Sequence, residues 1–186
     1  MKQKRYILIE YTDDVIDGPP CNWPEILRGV VKVGNWVDIT REKVDGDFRT
    51  LVRLAKKWRN RIELKPLKSF AIELIMAHVL AKNGKDGSIE KRFRDFLLYV
   101  AQSELKEVIT FPENGKVSPT FTDPVVILDP VCNTNNVASR ISDDARKEIV
   151  AAAMEAWETA NFASTEDDIE VWKELFGPRF KVKEEA

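Results

Sequence analysis

The sequence predicts a mainly α-helical domain with a few short β-strands, and three observations predict it. Apolar residues recur at Phe48, Leu51, Val52, Ala55, Trp58 and Ile62, the spacing of a helix with one buried stripe. Residues 67–82 are apolar nearly all round, as a helix enclosed by others must be. Runs with strand character are short and scattered between polar loops.

Each element has its own signal. Residues 5–11 (RYILIEY) are β-branched and aromatic and read as a strand; residues 17–20 (DGPP) are a loop. One helical turn fits residues 23–27 after Asn22, and residues 30–39 alternate like a second strand. Asp45-Gly46-Asp47 opens the helix that starts at Phe48, and Lys65-Pro66 ends it, because a residue before proline is pushed from the α region. The apolar helix that follows carries Ile72, Leu74, Ile75, Met76, Val79 and Leu80 and breaks at residues 83–87 (NGKDG). Ser88 caps a third helix, whose inner face is Ile89, Phe93, Phe96, Leu97, Val100 and Ala101.

Residues 108–111 and 125–128 are strand candidates on either side of a loop over 112–124. Ser142-Asp143-Asp144 starts a fourth helix with acids at its positive end, and Ala145, Ile149, Ala152, Ala153, Ala156 and Trp157 form its buried face. Thr165 with Asp168 resembles a capping box for a last helix, which carries Ile169, Trp172, Leu175 and Phe176 and stops at Gly177-Pro178. The sum is about five helices on one core: a strand-rich segment over 1–40 and a helical domain over 41–186.

Composition bounds the function. The 186 residues are 44% hydrophobic and 32% charged, with a net charge of −2. That fits one folded domain and excludes a polycation that coats nucleic acid. Charge is concentrated, however. Seven basic residues lie from Arg53 to Lys68, against one acid, Glu63. They suit a phosphate-bearing ligand, although a solvated helix face is the commoner reason for such a run. One histidine, His78, and two cysteines, Cys21 and Cys132, exclude a Cys/His zinc site, argue against a disulfide framework and fit a reducing cytoplasm. No run of about 18 apolar residues occurs, so no membrane contact is expected.

Four segments carry a family resemblance. They are Lys56-Lys57-Trp58 closing a basic helix, Ala71-Ile72-Glu73-Leu74 opening the next, Ile127-Leu128-Asp129-Pro130, and Asn136-Val137. Together, over roughly residues 36–176, they resemble the C-terminal half of oligoadenylate synthetase and the bacterial cGAS/DncV-like nucleotidyltransferases (CD-NTases). The resemblance implies a helical bundle that binds a nucleoside triphosphate, ATP or GTP. It also implies an enzyme, located in the cytoplasm, that makes cyclic or linear oligonucleotide messengers for antiviral defence.

Carried over by position, Arg53 and Lys56 match the family's phosphate-meeting helix positions. Ser69 matches a triphosphate or base contact, and Phe70 an aromatic that stacks on the base. Lys68 adds a cation in the same turn. The physical case runs beside this. Arg53 and Lys56 are three residues apart and share a helix face. Cations make charge-assisted bonds to phosphate, and an aromatic face accepts any base. Phe70 equally suits core packing, and Ser69 a plain helix N-cap.

The family's metal machinery has no counterpart here. It uses Gly-Ser at a helix start, then Asp-x-Asp on a strand, then a third carboxylate, which together hold two Mg²⁺ ions. Asp45-Gly46-Asp47 lacks the Gly-Ser and sits at a helix start; Gly87-Ser88 has no Asp-x-Asp behind it. Glu10 in RYILIEY, with Asp38 a similar case, is the one candidate for a leftover acid, if residues 1–40 are a remnant of a catalytic palm. No catalytic residue is therefore assigned beyond that weak candidate. Mg²⁺ is expected only in the complete enzyme, with its acids on a separate catalytic segment or subunit.

The alternative is a catalytically inactive interaction or regulatory protein that pairs with an active nucleotidyltransferase. An RNA-binding accessory domain is a third, less favoured reading. His78 reads as a satisfied core histidine, and Asp129 as a turn-fixing acid.

Incubated alone with Mg²⁺ or Mn²⁺ and labelled nucleoside triphosphates, the chain is expected to form no oligonucleotide. A product abolished by a change at Glu10 or Asp45 would overturn this.

Overall fold

The computed structural model of the chain describes residues 48–84, 86–115, 120–166 and 168–180. The predicted strands and turn of residues 1–40, with Glu10, Asp38 and Cys21, lie outside the described residues, as does Asp45-Gly46-Asp47.

Helix α1, Phe48–Arg61, buries the predicted stripe of Phe48, Leu51, Val52, Ala55 and Trp58. It ends earlier than Lys65-Pro66 would end it. Glu63 takes a left-handed backbone, φ 55°, which no continuing helix allows. Ile62 falls past that end and is 44% exposed rather than part of the stripe. The connection to the next helix is no loose loop. Leu64 and Leu67 plug into the core, and the Leu64 N–H donates to the Arg59 carbonyl at 3.0 Å.

Helix α2, Ser69–Asn83, is the central element, with every residue from Phe70 to Ala77 buried. Its N-cap is Lys68, which makes no side-chain capping bond. Ser69 is thus the first helical residue rather than the cap. Gly84, at φ 81°, closes the other end by donating its N–H to the Leu80 carbonyl at 3.0 Å.

Helix α3, Ile89–Ser103, starts as predicted, with the Ser88 Oγ accepting the Lys91 N–H at 3.1 Å. Phe93, Phe96, Leu97, Val100 and Ala101 turn inward. Glu104 and Leu105 follow in left-handed backbone and terminate it.

The strands are few. Ile109 bridges Ile127 in parallel, and β1, Leu128–Asp129, pairs antiparallel with β2, Cys132–Asn136. The register pairs Leu128 with Asn136 and Asp129 with Cys132, with an irregularity between them. Strand β2 (CNTNN) was invisible to patterning, because it has no apolar alternation. Side-chain amides hold it instead. Asn136 accepts N–H bonds from Ile127 (2.9 Å) and Ala138 (3.0 Å) on Oδ1. Its Nδ2 donates to Asp123 (2.9 Å) and the Val125 carbonyl (2.8 Å).

Helix α4, Asp143–Glu166, follows the predicted acidic start. The Lys147 ammonium and then the Arg146 guanidinium hold the Asp143 carboxyl down to about 2. Arg146 is itself buried and donates to the Glu104 carbonyl at 2.9 Å, tying α4 to the end of α3. The buried face is Ile149, Ala153, Ala156, Ala160 and Ala163 with Arg146; Ala145, Ala152 and Trp157 are only half-buried.

Thr165 is not a cap. It lies inside α4, and its hydroxyl donates back to the Asn161 carbonyl at 2.9 Å. Asp168 itself caps α5, Ile169–Phe176, accepting the Glu170 N–H at 2.8 Å. Five helices and one two-stranded sheet are present among the described residues. Helices α1, α2 and α3 pack against one another, α4 lies along α3, and α5 touches α1 and α4.

Replacing Asn136 by Ala strands two buried N–H groups and a carbonyl at once. A loss of about 3 kcal/mol is expected, since each unsatisfied buried group costs roughly 1–3 kcal/mol. Urea denaturation checks it; a change within 0.5 kcal/mol would contradict the role given to this side chain.

Candidate nucleotide-binding site

Helices α1 and α2 run together as a hairpin, and their seam is polar at two levels. Lys56 and Arg59 are three residues apart on α1; Ser69 and Glu73 are four apart on α2. Each pair therefore projects from one face. The Lys56 Nζ lies 2.8 Å from the Glu73 Oε1, with the Lys56 side chain 25% exposed and that of Glu73 8%. One turn on, Arg59 donates from Nη2 to the Ser69 Oγ at 3.1 Å and from Nη1 to the Leu67 carbonyl at 2.9 Å.

The sequence dictates the lower rung. Glu73 is the sole acid of α2, set within the buried and otherwise apolar run from Phe70 to Ala77. A carboxylate at that depth needs a cation, since an unpaired buried charge would cost several kcal/mol. Lys56 supplies it. The Glu73 Oε2 is buried with no hydrogen-bond partner.

The upper end of the seam is positive. Lys68 is exposed at the α2 N-cap position, and no N-cap side chain covers the first-turn N–H groups. The helix dipole adds partial positive charge there. Arg53 is also exposed, but it lies one turn to the other side of Lys56, about two turns along α1 from Arg59 and thus away from the α2 start. Backbone donors, a hydroxyl and cations at a helix start are the elements that hold a phosphate.

Phe70 departs from the expectation. It is 4% exposed and belongs to the hydrophobic core. The ring packs beneath the α2 start and presents no open face for a base. Sequence reasoning also missed two participants. Glu73 carried a signal, as the lone acid in an apolar helix. Arg59 carried one too, a turn beyond Lys56 on the same face, but nothing in the sequence says that it turns back to residues 67 and 69.

The other candidates resolve as follows. Asp129 is fully buried and accepts the Val131 N–H at 3.0 Å and the Asn135 Nδ2 at 3.1 Å, so it fixes a turn. His78 is not the satisfied core histidine expected. Its Nε2 is buried without a hydrogen bond, 3.9 Å from the Glu107 carboxylate, and its ring tilts against Tyr99 at 5.3 Å. Burial pushes the His78 pKa down, and burial together with the neighbouring Glu107 pushes that of Tyr99 up. Cys132 is not a free thiol, which departs from the reduced cysteines that the sequence suggested. Among the described residues, no group of three His, Cys, Asp or Glu is placed to hold a metal ion. No helix among them is long and apolar enough to cross a membrane.

Comparison with known proteins decides the kinship. Over 146 residues, 78% of this chain, it is 69% identical to the CBASS oligonucleotide cyclase CdnC of Escherichia coli strain KTE188. The chain is a relative of the CD-NTases. A cyclic AMP-AMP-AMP synthase of Escherichia coli strain MS 115-1 is 36% identical over 145 residues, 72% of this chain. The chain spans about half the length of these curated CD-NTases, 46% and 45%, as a C-terminal half would. Two solved structures of the Escherichia coli MS115-1 CdnC share the fold. One, with ATP, has a TM-score of 0.73 at 30% identity, over 82% of this chain and 51% of that one. The other, a complex with HORMA-deltaN, has a TM-score of 0.71 at 30% identity, over 82% and 52%. No family model matches the chain.

Lys56→Ala would leave Glu73 buried and unpaired, and is expected to destabilise the chain by about 2–3 kcal/mol. Lys56→Met with Glu73→Leu removes both charges and is expected to fall within about 1 kcal/mol of the parent. Chemical denaturation of both tests whether the rung is a coupled pair. Equal losses would show that it is not.

Proposed function

We propose that this chain holds the triphosphate of ATP or GTP for an enzyme that joins nucleotides into cyclic or linear oligonucleotide messengers of antiviral defence. The observation that carries the reading is the α1–α2 seam: an uncapped helix start flanked by Lys68, Ser69 and the Lys56 and Arg59 rungs. The reading is supported by 69% identity to a CBASS oligonucleotide cyclase and by the likeness to a CdnC structure containing ATP.

Each residue has a chemical task. Lys68 and Arg53, both exposed, neutralise phosphate oxygens with charge-assisted bonds. The Ser69 hydroxyl and the α2 amides donate to one phosphate and fix its place. Lys56 stays tethered to Glu73, so its charge is kept at the seam. Phe70 supports the turn from below. Base recognition belongs elsewhere than on this ring.

Mg²⁺, when bound, supplies activation of the attacking hydroxyl and neutralisation of the leaving pyrophosphate. The described residues offer it no cluster of ligands. Its carboxylates are assigned to a catalytic segment or subunit of the whole enzyme, and no step is routed through this chain's acids. The HORMA-deltaN complex of the CdnC relative motivates a protein partner for this chain as well. A cytoplasmic setting follows from the same kinship and belongs to the proposal.

Calorimetry of the full chain with ATP and GTP tests the reading. Lys68→Ala and Arg53→Ala are each expected to weaken binding roughly tenfold, about 1.4 kcal/mol, with the melting temperature unchanged because both side chains are exposed. No binding by the parent chain would overturn the proposal.

A further inference from the structure

We propose that Arg59 is a positioning residue of this site, one that turns the Ser69 hydroxyl into a fixed donor for the bound phosphate. The inference rests on the nucleotide-binding reading above and adds a residue that neither the family motifs nor the sequence pattern singled out.

The guanidinium is a planar fork, and both arms are used. Nη1 donates to the Leu67 carbonyl at 2.9 Å and Nη2 to the Ser69 Oγ at 3.1 Å. A serine hydroxyl has one proton and two acceptor lone pairs. Once a lone pair of Ser69 accepts from Arg59, the proton must point away from the guanidinium. A charged donor also polarises that O–H and strengthens its own donation. Without Arg59 the hydroxyl is left to rotate, with no partner to fix its proton.

The second arm matters as much. It fixes residue 67, so Lys68 sits between two clamped neighbours. The backbone of the turn is already held by the Leu64 N–H to the Arg59 carbonyl at 3.0 Å and by the burial of Leu64 and Leu67. Arg59 extends that hold to the Ser69 side chain at the helix start. Lysine cannot replace it, since a point-like ammonium on a flexible stem does not span two fixed acceptors.

The test is calorimetry of the full chain with ATP and with inorganic triphosphate, with melting temperatures beside it. The variants are Arg59→Gln, Arg59→Lys, Ser69→Ala and the double Arg59→Gln/Ser69→Ala. Arg59→Gln and Ser69→Ala are each expected to lose roughly tenfold for both ligands, and the double variant no more than either alone. Arg59→Lys is expected to lose nearly as much as Arg59→Gln. Should Arg59→Gln not fold, Arg59→Lys against Ser69→Ala carries the comparison.

Multiplying losses in the double variant would show that Arg59 acts independently of Ser69 and would overturn the inference alone. So would an Arg59→Lys variant that binds like the parent. A parent chain that binds neither ligand would overturn the nucleotide reading and this inference with it.

Discussion

A helix enclosed on every side is the constraint from which the rest of this structure follows. Helix α2 has no solvent face between Phe70 and Ala77. Its neighbours must therefore cover it, and α1 and α3 both do. A helix so placed cannot carry a charge without a counter-charge beside it, so Glu73 requires Lys56 and thereby sets how α1 lies against α2. The same enclosure lets α2 reach solvent near its ends, at the exposed residues 81–83 and at the half-buried Ser69, where its first N–H groups lack a capping side chain. The proposed site is thus one end of the most buried element.

Much of this was legible in the sequence, and the reasons are specific. The period of Phe48, Leu51, Val52, Ala55 and Trp58 marked α1 because one face of it is buried. The uniform apolarity of α2 marked its enclosure. Ser88 and the Asp143-Asp144 pair marked two helix starts, because orphan N–H groups need acceptors. What escaped depends on long-range bonds. Strand β2 has no pattern, since amide side chains bonded to residues 9–13 positions away hold it. Helix α4 runs through Thr165, whose hydroxyl donates to the Asn161 carbonyl instead of capping the next helix. The end of α1 was set by a left-handed Glu63, a choice that no local propensity announces.

The site was read less well than the fold, for a physical reason. Lys56 and Ser69 were read as nucleotide contacts, but in the fold their partners are Glu73 and Arg59. Residue type reveals what a side chain is able to do; only the crossing of two helices reveals what already occupies it. Phe70 shows the limit most plainly. Its type suits stacking on a base, yet its position one residue inside the enclosed helix commits it to the core. Kinship with the CD-NTases covers about half the length of those relatives.

The irregular pairing of β1 with β2 has a consequence beyond holding a turn. In a flat ribbon the strands can slide by two residues at little cost, and an open edge invites another chain to add itself. Here the register is broken between Leu128 and Asp129, and each side of the break is stapled by asparagine side chains rather than by strand geometry. Sliding would tear several amide bonds at once. The short ribbon is thus locked against slippage by its side chains rather than by its own ladder.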